Sequence, residues 1–121
     1  MKEIFFERAK ENLEAAEFLF EKGLFNASAN RAYFAVFHLA IAAIFFAGII
    51  PNIDHKIIQT LFAEHFCNKR KIVASKFKSF LFDMHKVRSY ADYKCGVSKK
   101  DAKQQLKDAK EFFEIIMEVI K

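Results

Sequence analysis

The sequence has three glycines and one proline in 121 residues. That scarcity argues against many short strands joined by tight turns, and it removes the clustered glycines that phosphate-cradling loops need. It has two cysteines, Cys67 and Cys95. They are too far apart for a metal knuckle and too few for a secreted disulfide framework, so a reducing cytoplasm is the expected setting. No apolar leader is visible, because residues 1–22 alternate charged and apolar side chains at helical spacing. No histidine has an acid three residues before it, which sets aside ferritin-like di-metal chemistry. Glu64 with His65, and Asp54 with His55, are adjacent pairs that point apart on a helix, so no metal site and no cofactor are expected. Ser, His and Asp are too scattered to nominate a catalytic triad.

What is present is apolar bulk: 53% hydrophobic residues, with sixteen phenylalanines. A chain of this length can bury a core without disulfides or metal, so residues 1–121 are expected to form one domain. Residues 2–22 read as an amphipathic helix, with Phe5, Ala9, Ala16, Leu19 and Phe20 on one side and Glu3, Glu7, Glu11 and Glu14 on another. Gly23 marks its end. A second helix runs from about Phe25 to Gly48, and its stretch Ala32 to Ile50 is broken only by Tyr33 and His38. Such a run is long enough to cross a bilayer. It is rich in alanine, carries a histidine and is flanked by amphipathic helices that need an apolar partner in water, so the centre of a bundle is the preferred reading and no membrane is expected. A face left uncovered would serve a homodimer. Residues 54–67 predict a shorter helix with Asp54 as its cap and Ile57, Ile58, Leu61, Phe62 and Phe66 buried. Residues 72–93 predict a fourth, with Val73, Phe77, Phe80, Leu81, Met84 and Val87 inward. Ser98 with Asp101 opens a fifth, along which Ala102, Leu106, Ala109, Phe113, Ile116 and Ile120 form a stripe.

The net charge of +5 is uneven. Residues 67–110 carry 13 basic and 4 acidic side chains, while the other stretches are neutral or net negative. That is the footprint of a polyanion partner, although solvated lysine-rich helix faces give the same count.

Two segments contain more than packing requires. In Val87-Arg88-Ser89-Tyr90-Ala91-Asp92-Tyr93, Arg88 and Asp92 stand one helical turn apart and two tyrosines bracket them. The plain reading is a weak surface ion pair. The sharper one is a guanidinium fork, a carboxylate and aromatic faces suited to phosphate and base recognition. In Asn30-Arg31-Ala32-Tyr33-Phe34-Ala35-Val36-Phe37-His38, Arg31 and His38 share one stripe of the apolar helix. A buried arginine needs a partner, and Asp92 is one candidate.

In this order the segments resemble the HEPN family, the higher eukaryote and prokaryote nucleotide-binding domains, in its small stand-alone prokaryotic branch. The resemblance spans Ala9 to Leu13, Gly23, Arg31 to His38, the helix start at His55, Arg88 to Tyr93, and Ala109 to Phe113. It implies an all-α, four- or five-helix up-and-down bundle of the kind that serves as a nucleotidyltransferase substrate-binding subunit. Such bundles are usually homodimers working beside a minimal nucleotidyltransferase in a toxin and antitoxin pair. Many members are metal-independent ribonucleases in which a histidine follows an arginine by several residues. Arg88 fills the arginine position here, but Asp92, Tyr93 and Lys94 follow it and His85 precedes it. The expectation is therefore a binding subunit for nucleotide or RNA, with a site drawn from Arg31, Tyr33, His38, His55, Arg88, Tyr90, Asp92 and Tyr93. The alternative is an RNA-cleaving toxin using Arg88 with Asp92 or Tyr93, aided by His38 or His55.

Overall fold

Two glycines set the length of the first helical hairpin. At Gly23, φ is +79°, a left-handed backbone that glycine adopts without a Cβ penalty. There the Leu24 N–H reaches back to the Leu19 carbonyl at 2.9 Å and the Gly23 N–H to that of Phe20 at 3.0 Å, closing the helix with a Schellman turn. Gly48, at φ +86°, closes the next helix in the same way, with Ile49 N–H to Ile44 O at 3.2 Å.

The computed structural model describes residues 2–69, 80–93 and 96–119, without the side chains of residues 68, 69, 80 and 90–93. In chain order it has α1 (Lys2–Glu21), α2 (Phe25–Phe46), α3 (His55–Phe62), a π-helical continuation (Ala63–Lys69), α4 (Phe80–Tyr93) and α5 (Lys99–Val119). No strand occurs among the described residues, and the expected all-α bundle is what forms. Asp54 caps α3 through its carboxylate, which accepts from the N–H groups of Lys56 and Ile57 at 3.0 and 3.1 Å. Ser98 caps α5, its Oγ accepting from the Asp101 N–H at 3.1 Å.

α2 is the axis of the molecule, touching α1 along its length and α3, α4 and α5 elsewhere. Its alanines 32, 35, 40 and 43 are fully buried, which lets neighbouring helices approach closely. By length and composition α2 could cross a membrane, yet two thirds of its most apolar window (67%) is enclosed by the bundle, as befits a core helix. Phe62 packs on Phe66 and on Phe112, their ring centroids 5.2 and 5.3 Å away, tying α3 and its continuation to α5.

The core differs from the sequence reading in two places. Ile57 is 39% exposed, because Ile58 and Phe62 already fill the buried side of the short α3 and Ile57 lies outside the arc they cover. Gln105, unnoticed in the α5 stripe, is 3% exposed. Its Nε2 donates to the Met84 carbonyl of α4 at 3.0 Å and to the Ala29 carbonyl of α2 at 3.3 Å. The polar group is thereby satisfied and fastens α4 and α5 to the first turns of α2. Of the expected inward residues, Val73, Phe77 and Ile120 lie outside the described residues, as does the Phe80 side chain.

Candidate functional site

Four residues near the middle of α2 aim side chains toward α1, α3 and α4. Tyr33 and Phe37, one turn apart, stack with centroids 5.8 Å apart, and Phe34 and His38 repeat the spacing on the adjoining stripe at 6.0 Å. Phe34 is half-buried, and two cations share its ring: the guanidinium carbons of Arg31 and Arg88 each lie 5.0 Å from the centroid. The polar groups fall into two clusters on either side of Phe34.

The first cluster joins α2, α3 and α4. The Asp54 cap starts α3 at His55, and the His55 ring stacks on Phe37 at 4.5 Å while its Nδ1 hydrogen-bonds the Tyr33 hydroxyl. His85, on α4, lies edge-on to Tyr33, with centroids 5.3 Å apart, and its ring is 4.9 Å from that of His55. One turn along, Arg88 places Nη1 3.5 Å from His85 Nε2. A guanidinium only donates, so the imidazole accepts at Nε2 and holds its proton on Nδ1. Burial lowers the pKa of both imidazoles; the mutual His85 contact and then Arg88 add to it at His55, and Arg88 adds to it at His85. Both rings are therefore neutral at pH 7. Burial pushes the Tyr33 phenol far above its ordinary value, so it remains a hydroxyl.

The second cluster joins α1 and α2. Asn12 accepts from Arg31 Nη1 at its Oδ1 (2.9 Å), which fixes the orientation of the amide. Its Nδ2 then donates to the Arg8 carbonyl (2.8 Å) and to His38 Nδ1 (3.2 Å). His38 accordingly carries its proton on Nε2. Arg31 Nη2 donates to Asn30 Oδ1 at 2.6 Å. Burial, then Arg8, then Arg31 hold the His38 pKa down.

The structure thus brings together Tyr33, His55 and Arg88 from the expected set, and places Arg31 and His38 beyond Phe34. The side chains of Tyr90, Asp92 and Tyr93 lie outside the described ones, though their backbone forms the last turn of α4. Two participants escaped the sequence reading. His85 was passed over because it precedes Arg88, yet a separation of three residues puts both on one helix face, and that spacing was a readable signal. Asn12 lies in the Ala9 to Leu13 segment that carries the resemblance, but its role was not readable, because its partners Arg31 and His38 are 19 and 26 residues away. Among the described residues, no three His, Cys, Asp or Glu side chains gather closely enough to share a metal ion.

The chain is similar to proteins from two distant lineages. It is 29% identical over 116 residues to a protein of the archaeon Methanocaldococcus jannaschii named "Putative toxin MJ0605", covering 95% of this chain and 85% of that one. It is 26% identical over 117 residues to a UPF0332 protein of Gloeobacter violaceus, covering 94% and 91% respectively. A family model described as the HEPN domain matches residues 3–120, and the chain belongs to the HEPN domain family.

Proposed function

We propose that this HEPN protein acts on RNA, and that it cleaves the strand without a metal ion at the Tyr33, His55, His85 and Arg88 cluster. The observation that carries this reading is the contact between the His55 and His85 rings, 4.9 Å apart, with Arg88 beside them. Neutral imidazoles are competent bases at pH 7, and a guanidinium recognises phosphate oxygens through paired donors. In the proposed reaction His55 takes the proton of a ribose 2′-hydroxyl, and the 2′-oxygen attacks the adjacent phosphorus. Arg88 steadies the phosphoryl oxygens. The bond from phosphorus to the 5′-oxygen breaks, and that oxygen receives the proton that His55 took, passed on through the adjacent His85 ring, so both imidazoles end neutral. The products are a 2′,3′-cyclic phosphate and a 5′-hydroxyl. The basic excess of residues 67–110 supports a polyanionic substrate, and the toxin name of the archaeal relative agrees with an RNA-cleaving role.

The test is incubation of purified protein with a labelled RNA in EDTA. Cyclic-phosphate products that vanish with Arg88→Gln support the reading, and an intact strand contradicts it.

A second reading keeps the site for binding nucleotide or RNA, with the chain serving as the subunit of a minimal nucleotidyltransferase partner. One observation favours it: both imidazoles are held below their ordinary pKa, so the site lacks a standing imidazolium to act as acid at neutral pH. Saturable RNA binding without cleavage from pH 5 to 9 is its signature. Either reading is proposed for a one-domain cytoplasmic chain acting as a homodimer, for which exposed Phe18, Ile50 and Phe82 offer apolar contact surface. Light scattering on the purified chain measures that state directly.

A further inference from the structure

We propose that the Arg8, Arg31 and His38 cluster is a second phosphate subsite, which holds the RNA phosphate next to the one bound at Arg88. The inference rests on the RNA reading above but concerns a different group of residues. Among the described residues, Arg31 meets only neutral partners: the amide oxygens of Asn12 and Asn30 and the ring of Phe34. It is half-buried. A cation partly removed from water and matched by no carboxylate is costly, and an anion would offset that cost. Arg8 brings a second cation, its guanidinium carbon 5.5 Å from the Phe5 ring and its side chain exposed. Phe5 in turn packs on His38 at 5.8 Å.

Asn12 prepares the cluster for an anion. By binding Arg31 through oxygen and His38 through nitrogen, it leaves the His38 proton on Nε2, away from Asn12. The cluster therefore offers guanidinium groups and an imidazole N–H, which are all donors, and that is the complement of a phosphate.

Phe34 fixes the distance between the two subsites. Arg31 and Arg88 each stand 5.0 Å from its centroid, so their guanidinium carbons are at most twice that apart. That span suits neighbouring phosphates on a single strand. The ligand is then at least a dinucleotide carrying a flanking phosphate, and a mononucleotide fills only half the site.

The experiment follows the histidine ring signals by NMR while the intact protein is titrated with inorganic phosphate, then with a dinucleotide carrying or lacking a 5′-phosphate. A 2′-deoxy linkage keeps the dinucleotide uncleaved. The 5′-phosphorylated dinucleotide should shift His38 together with His55 and His85, and the unphosphorylated one should shift His55 and His85 alone. Removing the 5′-phosphate, or introducing Arg31→Gln, should weaken binding roughly tenfold. Arg8→Gln, at an exposed position, should reduce the His38 response without loss of fold. The inference is overturned if His38 stays silent in the wild type. It is also overturned if His38 responds only in Asp92→Asn, which would mean that Asp92 already neutralises Arg31. Equal affinity for free phosphate and for the phosphorylated dinucleotide overturns the assignment to RNA. Cleavage is not part of the readout, so an inactive protein whose His38 still reports the phosphorylated dinucleotide contradicts the nuclease reading and leaves this one standing.

Discussion

At the scale of single residues, the chemistry depends on which imidazole nitrogens carry protons, and neighbours fix this at two of the three clustered histidines. Arg88 makes His85 accept at Nε2, and Asn12 makes His38 accept at Nδ1. All three rings, including His55, have lowered pKa values, chiefly because of burial. This has a consequence for stability. In the unfolded chain these histidines bind protons near pH 6.5, whereas in the folded chain they do so only at lower pH. Stability should be full above pH 6.5 and should decline as pH falls from there toward the folded values. Thermal unfolding between pH 7.5 and 5.5 measures this, and His38→Gln should flatten the curve. A curve that stays flat in the wild type would contradict the lowered values. The residue scale is also where the sequence was least legible. Arg88, His55 and Tyr33 stood out as polar groups in apolar or basic surroundings, and the structure places them together. The role of Asn12 did not, because it comes from the packing of α1 on α2. The pairing of His85 with Arg88 was readable from their spacing, but the contact of His85 with His55 was not, because order along the chain does not encode it.

At the scale of elements, short local signals position the site. The Asp54 cap fixes where α3 begins and so where His55 meets Phe37 and Tyr33. Asp54→Ala should cost about 1 kcal/mol, read by denaturant unfolding, and should weaken RNA binding through His55 more than through His38. A loss of stability with no change at His55 would separate the cap from the site. Gln105 acts on α4 in the same way, from the opposite side. The two carbonyls it holds belong to Ala29 and Met84, one turn before Tyr33 and Arg88. Gln105→Met keeps the bulk and removes the donor. It should lower stability by about 1 kcal/mol and loosen the contact of His85 with His55, seen as a rise in the His85 pKa toward its ordinary value. An unchanged His85 titration would show that Gln105 only fills space. Most of this level was legible. The glycine stops, both side-chain caps and the helical periods gave the described elements to within a few residues, apart from the expected start of the fourth helix at residue 72, which lies outside the described residues. The exposure of Ile57 was not legible, because eight residues of α3 do not define a face sharply.

At the scale of the whole molecule, α2 is where core and site coincide. Its alanines let α1, α4 and α5 close around it, and the same closeness brings Arg31 and His38 against α1 and Tyr33 and Phe34 against α4. Ala40 is fully buried, so Ala40→Leu should overpack the bundle and cost about 1–3 kcal/mol, measured by denaturant unfolding. A neutral result would mean that the core around α2 has slack. That this helix is central was readable from its composition alone. That its two polar stripes serve two clusters was not, because the separation depends on one half-buried phenylalanine with a guanidinium from each cluster against its ring. The central claim is that His55 and His85 work as one unit on RNA, and a double-mutant cycle tests it most directly. Cleavage rates in EDTA are compared for the wild type, His55→Ala, His85→Ala and the double variant. If the pair acts jointly, each single change costs nearly as much as both together. Small losses that simply add would contradict the account.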